Sequence, residues 1–143
     1  MTNVISLDDL VLERGAHTSP DKGMCLMEAV AFIRNAQDSS VPFNDHPACV
    51  SPILAAFGRT WNDRLPNDRR QELTPYIPAM AGTAGDGHDE ARGYLALDWL
   101  IRTYTPTWLD LAGLTTEAQA LRDLRRIVDL SAAQSAGPVV REA

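Results

Sequence analysis

Apolar residues recur at spacings of three and four along almost the whole chain, and alternation with a period of two is nearly absent. Such spacing is typical of amphipathic α-helices. It predicts helices over residues 7–14, 21–35, 51–63 and 67–73, and again over 87–104, over 105–112 and from Thr115 onward. The expected fold is therefore all-α, a compact bundle of about five to seven helices.

Turn-forming and capping residues define the limits of the predicted domain. Ser51 before Pro52 is a strong helix start, because the serine hydroxyl accepts from an unpaired amide and proline suits the first helical position. The segment from Ser135 is small and polar and contains Pro138. We expect a single helical domain over residues 1–134, followed by a flexible C-terminal tail over residues 135–143.

Two helices carry the main predictions about packing. The helix over residues 87–104 is expected to be central, because it is apolar around more than half of its circumference. In the helix that follows Ser51, the face expected to be buried carries Ile53, Ala56, Phe57, Thr60 and Trp61. The three tryptophans, Trp61, Trp99 and Trp108, have polar neighbours, which fits the edge of a core or a protein-binding groove. The edge of a core is the favoured interpretation.

Composition and charge narrow the class of protein. Of the 143 residues, 45% are hydrophobic and 22% are charged, as in ordinary globular proteins. No stretch approaches the ~20 apolar residues of a spanning helix, and the N-terminus lacks the pattern of a secretory signal. The net charge of −6 disfavours nucleic acid as a partner. We expect a cytoplasmic protein with no membrane partner, and homo-oligomers are compatible with the sequence.

The two cysteines are candidate metal ligands. His46 and Cys49 are three residues apart, and Cys25 and His17 could complete a set of zinc ligands. Structural zinc sites usually show two close pairs of ligands, whereas only one pair is close here. Reduced thiols in the core are therefore favoured. We expect no cofactor, and zinc at Cys25, His46 and Cys49 is the alternative.

Glu28 is the one acidic residue in the apolar run over residues 24–31. If it faces the core it needs a partner, because an unpaired buried charge is costly. The candidate partners are Arg59, Arg92 and Arg102, and the alternative is that Glu28 lies at an exposed edge of the helix. More generally, polar residues at helix ends or beside apolar faces are the candidate binding residues, and we expect them to converge if they form a site: Glu28, Asp45, His46, Asn62, Asp63, Asp98 and Arg102.

Four short phrases of the sequence carry a resemblance. They are Gly-Met-Cys-Leu-Met-Glu-Ala-Val-Ala-Phe, Asp-His-Pro-Ala-Cys-Val-Ser-Pro-Ile-Leu, Trp-Asn-Asp and Asp-Trp-Leu-Ile-Arg. In these phrases the chain resembles small uncharacterised all-helical proteins encoded by actinobacteria and their phages. The resemblance covers residues 18–112 and implies a coherent domain. It brings no catalytic residue and no activity to this chain.

These observations favour one function class over another. We expect a small accessory or regulatory protein that binds another macromolecule, specifically a protein, and that is not an enzyme. The alternative is a metal-binding protein or a metal-dependent hydrolase that uses the Cys/His cluster.

Overall fold

The computed structural model describes residues 6–143, which are mostly helical and contain no strand. The α-helices are α1 (Leu26–Gln37), α2 (Pro52–Arg64), α3 (Asn67–Arg70), α4 (Ile77–Met80), α5 (Asp89–Trp99), α6 (Thr105–Leu111), α7 (Thr115–Arg122) and α8 (Leu130–Glu142). Within this range six α-helices exceed four residues, so the predicted all-α fold is confirmed. Residues 1–5 of the predicted domain lie outside the described residues. None of the helices between residues 6 and 143 combines the length and apolarity needed to cross a bilayer.

The chain divides into two compact units, the first ending at Asp86 and the second beginning at Gly87. The single domain over residues 1–134 stays a prediction. The expected C-terminal tail is helical instead, because residues 135–142 belong to α8. Asp129 caps this helix by accepting from the Ala132 amide at 2.7 Å. Ala136, one of the small residues that suggested a tail, is buried together with Ala132 against Ile127.

Helix α1 is the central element of the first unit. Its residues Leu26 to Ala31 are all buried, and α2 and α4 pack against it. The prediction that the helix over residues 87–104 is central was wrong, because α5 contains no buried residue. Burial over one and a half turns, with Glu28 included, means that the first half of α1 is enclosed on every side rather than on one face.

Helix α2 begins as predicted but buries a different face. Ser51 caps it by accepting from the Leu54 amide. Its buried residues are Ala55, Gly58 and Asn62, whereas Phe57, on the predicted face, is 40% exposed. A Cβ at Gly58 would lie 3.0 Å from the Met27 side chain. The small side chains on this face therefore allow α2 to approach α1 closely. This close packing stabilises the observed orientation of α2 more than burial of the larger apolar residues on its other face would.

The segment before α1 is less helical than predicted. Only Leu7–Asp9 and Pro20–Lys22 form 3₁₀ turns, and α1 begins at Leu26 rather than near residue 21. Residues 10–25, which we call the N-terminal loop, run beside α1 and α2. Gly23 in this loop has φ +117° and ψ 173°, a conformation that is essentially restricted to glycine. A residue with this backbone conformation prevents a helix from continuing through position 23.

In the second unit, α5 and α6 form one continuous helix with a π turn at Leu100–Tyr104. The Thr105 amide donates to the Leu100 carbonyl five residues back, which identifies the turn. Pro106 follows at once, and it lacks the amide that a regular helix would use there. The core of this unit contains Ile127, Ala132 and Ala136, and Tyr94, Leu97, Ile101, Leu124 and Ala133 pack against it.

The last predicted helix is two helices in the structure. Helix α7 ends at Arg122, and residues 123–129 connect it to α8. Leu124 and Val128, which the prediction of one helix from Thr115 onward would place within it, lie in this connector, and Val128 is 50% exposed. Asp98 on α5 accepts from the Ile127 amide of this connector at 2.7 Å. A side chain, rather than the carbonyl of a preceding helical turn, therefore supplies the acceptor for this amide.

Replacing Gly23 tests the conformation of the N-terminal loop. A Cβ at this position would lie 2.8 Å from both the Glu13 carboxylate and the His17 ring. We expect Gly23→Ala to lower the free energy of unfolding by at least about 2 kcal/mol, measured by urea denaturation. Gly15→Ala is the matched control, because Gly15 also has positive φ, +85°, but has open space around its Cβ position. Equal losses in the two variants would contradict the close approach at Gly23.

Candidate binding surface

Glu28 is fully buried and is bonded to the N-terminal loop. Its carboxylate accepts from the His17 amide at 2.5 Å and from the Cys25 amide at 2.8 Å. His17 Nδ1 lies 2.8 Å from Oε2 of Glu28, and it donates there because a carboxylate oxygen accepts. The predicted arginine partners are therefore wrong: His17 is the partner, together with two backbone amides. Glu28 also satisfies the N-cap amide of α1, as one half of a capping box does.

Asn62 on α2 connects α1 with the same loop. Its side-chain oxygen accepts from the Leu26 amide at 3.0 Å, and its side-chain nitrogen donates to the Glu13 carbonyl at 2.8 Å. The adjacent Asp63 accepts from the Gly15 amide at 2.9 Å. Because the first amides of a helix have no partner within the helix, Glu28 and Asn62 together satisfy the buried start of α1.

Arg70 and Gln71, which follow α2 in the chain, complete this network. Gln71 accepts from the Leu12 amide and donates to the Leu12 carbonyl, both at 2.8 Å. Arg70 is 4% exposed and donates to the carbonyls of Asn62 and Leu65 at 2.6 and 2.8 Å. Side chains therefore pair with the loop backbone over residues 12–17 and at Cys25, and a backbone bond from the Glu13 amide to the Met24 carbonyl at 2.7 Å joins these two parts of the loop.

We call Glu28, Asn62, Asp63 and Gln71 the polar clamp. Each of these side chains bonds to the backbone of the N-terminal loop. Glu28 and Asn62 are 0% exposed, so in this structure they face the interior of the first unit. Three of the predicted binding residues thus converge, and what they surround is the chain's own loop. A binding role for Glu28, Asn62 and Asp63 stays a prediction.

The environment of Asp63 shifts its pKa. Burial acts to raise the pKa of this carboxyl, but hydrogen bonds from the Gly15 amide and the Asn62 side chain outweigh it. The charges of Arg14 and Arg70 act in the same direction as these bonds, so the pKa lies below its ordinary value. Asp63 therefore stabilises the fold above its unfolded-state pKa, and this contribution is lost as the pH falls through its lower folded-state pKa.

Asp45 and His46 lie in the loop before α2 and form a pair of their own. Asp45 Oδ1 is 2.7 Å from His46 Nδ1, and the histidine side chain is 68% exposed. Arg59 of α2 donates to the Asp45 carbonyl at 3.2 Å. These contacts make Asp45 and His46 a surface feature of the first unit, and their binding role stays a prediction.

Asp98 and Arg102 belong to the second unit and pair as their spacing of four predicts. Arg102 Nη1 lies 3.2 Å from Asp98 Oδ1, and the two side chains are 27% and 14% exposed, respectively. The same Asp98 oxygen accepts from the Ile127 amide. The pair therefore joins α5 to the connector before α8, and a binding role for it stays a prediction.

The cysteines lie in apolar surroundings. Cys25 is buried at the N-cap of α1, and Cys49 packs against the core of the first unit. Burial is the main cause that raises the pKa of the Cys25 thiol to about 11. In residues 6–143, no group of three or more His, Cys, Asp or Glu side chains could hold a metal ion. Zinc bound by Cys25, His46 and Cys49 stays a prediction.

The second unit exposes a row of large apolar side chains on one face of its long helix. We call Leu100, Tyr104, Trp108 and Leu111 the outer stripe; they are 45%, 39%, 57% and 75% exposed. The Tyr104 ring lies 5.0 Å from that of Trp99 and 6.0 Å from that of Trp108, centroid to centroid. Such distances are those of favourable aromatic pairs, so the rings support one another's orientation.

The π turn explains why this stripe faces outward. In an uninterrupted α-helix, Leu97, Ile101, Tyr104 and Trp108 would share one face, because they are spaced by four, three and four. In the structure Leu97 and Ile101 pack against the core, whereas Tyr104 and Trp108 are exposed. The sequence-based interpretation of Trp108 as the edge of a core missed this surface. Pro106 within an apolar helical pattern was the signal that the helix changes phase.

Two arginines of the second unit are paired with aspartates. Arg102 pairs with Asp98, and Arg122 Nη2 lies 2.5 Å from Asp110 Oδ2. The four stripe residues carry no charge. The stripe is therefore an uncharged, apolar surface of the second unit.

Comparisons of the chain with protein-family models, with curated proteins and with solved structures give no match. The resemblance to helical proteins of actinobacteria and their phages stays a prediction. A functional proposal for this chain therefore rests on the geometry of the two units.

Replacing Glu28 tests the polar clamp. Glu28→Gln keeps the size of the side chain and one acceptor oxygen, but an NH2 group replaces the other oxygen, such as Oε2, which accepts from the Cys25 amide and contacts the His17 ring nitrogen. We expect the free energy of unfolding to fall by about 2–4 kcal/mol, because buried donors lose their acceptor. Urea denaturation measures this. Glu72→Gln is the control, since Glu72 pairs with Arg69 at the surface and should matter little. A similarly small loss for Glu28→Gln would contradict the clamp.

The two thiols are expected to differ in reactivity. At about pH 8 Cys25 stays protonated and buried, so iodoacetamide should not label it in the folded protein. Cys49 is only partly buried and should be labelled faster. Mass spectrometry of Cys49→Ser should show labelling only after unfolding, whereas Cys25→Ser should be labelled while folded. Fast labelling of folded Cys49→Ser would show that the environment assigned to Cys25 is wrong.

Proposed function

We propose that this chain acts by binding another protein through the outer stripe. The observation that carries the proposal is the row of four large apolar side chains, each at least 39% exposed, on one face of one helix. Contiguous apolar patches of this kind mark interaction sites on globular proteins. Tryptophan and tyrosine are also the residues that most often dominate binding energy at protein interfaces.

The chemistry of the stripe favours the apolar face of a second helix as its partner. The stripe is itself a helix face, and helices bind one another through apolar residues spaced by three and four. In the ion pairs Asp98–Arg102 and Asp110–Arg122 each charge is already compensated, so these pairs offer no unpaired charge to a strongly charged partner. The net charge of −6 likewise disfavours nucleic acid. An accessory or regulatory role in the cytoplasm is part of this proposal.

The proposal is tested by selecting helical peptides that bind the purified protein from a displayed library. We expect selected peptides to carry apolar residues at i, i+3, i+4 and i+7, and to lose at least about tenfold in affinity against Trp108→Glu or Leu111→Glu. Leu130→Glu is the matched control, because Leu130 is 61% exposed but lies outside the stripe. Peptides that bind all three variants equally, or the absence of binding peptides, would overturn the proposal.

A further inference from the structure

We infer that the first unit has a binding site of its own, a groove that takes an arginine side chain from an extended peptide segment of a partner protein. We call it the acidic groove. Two segments of the chain line it, residues 7–11 on one side and residues 67–75 on the other. The inference concerns a different surface from the outer stripe and does not depend on it.

The groove is a preformed feature of the first unit. Its volume is about 800 Å³, within the ~300–1,000 Å³ of typical ligand-binding clefts. Gln71, which lines it, accepts from the Leu12 amide and donates to the Leu12 carbonyl, both at 2.8 Å. This residue of the polar clamp thereby ties the two lining segments together. A ligand therefore binds without first having to order them, a step that otherwise lowers affinity.

Apolar side chains from both segments contribute to the lining. Leu7, Leu10 and Val11 come from the first segment, and Pro75 comes from the second. Leu10 is 8% exposed and therefore belongs to the base of the groove, whereas Val11 is 64% exposed. Such a surface suits the aliphatic stem of a long basic side chain, which packs on apolar groups while its charged end contacts polar ones.

Two carboxylates, one on each segment, give the groove its charge. Asp8 and Asp68 line it and are exposed, and no lysine or arginine is among the lining residues. Arg69, which follows Asp68, is paired with Glu72 at 2.5 Å. Between residues 6 and 143, neither Asp8 nor Asp68 has an ion-pair partner within 4.0 Å. The groove is therefore complementary to a cationic ligand.

The exposure of the lining residues favours a peptide over a small molecule. Five of the nine are exposed: Asp8, Val11, Asn67, Asp68 and Pro75. Sites for small molecules bury ~70–90% of the ligand surface, which a groove with so exposed a lining does not do. A peptide segment can instead lie along an open groove with one side in water, and side-chain contacts then give specificity.

Arginine suits the groove better than lysine does. Its guanidinium group binds a carboxylate through two parallel N–H···O bonds, and it is more weakly hydrated than an ammonium group. Both properties favour a side chain whose stem packs on leucines and whose end meets aspartates. The expected ligand is therefore an arginine with an aliphatic neighbour in an extended peptide.

Selection of seven-residue peptides from a displayed random library tests the inference on the full chain. We expect the selected peptides to carry an arginine beside an aliphatic residue. Replacing that arginine by its neutral isostere citrulline should weaken binding at least about tenfold in fluorescence anisotropy, because the charge-assisted bonds are lost. A lysine peptide that binds as tightly as the arginine peptide would overturn the assignment to arginine, and selected peptides without any basic residue would overturn the site.

Charge-removing variants of the protein test the two carboxylates. Asp8→Asn and Asp68→Asn should each weaken binding of the selected peptide by at least about threefold, and the difference should shrink with added salt. Asp21→Asn is the matched control, because Asp21 is an exposed acid of the first unit that does not line the groove. Equal effects of the three substitutions would show that only the net charge of the protein matters, and would overturn the inference.

NMR spectra of the backbone amides locate the bound peptide on the folded chain. The selected peptide should shift the signals of Leu10, Val11 and Thr74 and leave those of Tyr104 and Trp108 in place. Shifts at the stripe alone would overturn the acidic groove while leaving the proposed function intact. Conversely, loss of helical-peptide binding at the stripe would overturn the proposed function and would not affect the groove.

Discussion

The first unit depends on one buried carboxylate. Glu28 lies in the buried first turn of the most enclosed helix of that unit, where an unpaired charge would be severely destabilising. Its oxygens are instead shared by the His17 amide, the His17 ring and the Cys25 amide. The same bonds satisfy the start of α1 and fix the N-terminal loop against it. The cost of burying the charge is therefore offset by the interactions that give the loop its path.

A different constraint shapes the second unit. There the decisive feature is a change of phase within one helix, which the π turn at Leu100–Tyr104 introduces next to Pro106. Leu97 before the turn and Ile101 within it pack against the core, whereas Tyr104 and Trp108 face outward. Apolar side chains that would otherwise enlarge the core of the second unit are therefore exposed on its surface. Turns of this type are frequent at functional sites, which agrees with the binding role proposed for the stripe.

Features that depend on local chemistry were predictable from the sequence. The start of α2 at Ser51–Pro52 and the burial of the apolar run in α1 follow from capping and from hydrophobicity alone. The partner of Glu28 did not follow, because His17 lies 11 residues earlier in a loop without periodicity. Asn62 was identified as a candidate for binding, but its contacts with Leu26 and Glu13 depend on how close α2 comes to α1. The outer stripe was missed because a phase change has no counterpart in the spacing of apolar residues.

The most direct test of the polar clamp is native-state hydrogen exchange of the backbone amides of His17, Cys25 and Leu26, followed by NMR. These amides bond to Glu28 and Asn62 rather than to backbone carbonyls. If buried side chains hold the loop in place, their opening free energies should equal those of core amides in α1, which exchange only when the unit unfolds. Exchange as fast as that of the exposed residue Thr18 would show that the loop opens independently, and would contradict the central place given to Glu28.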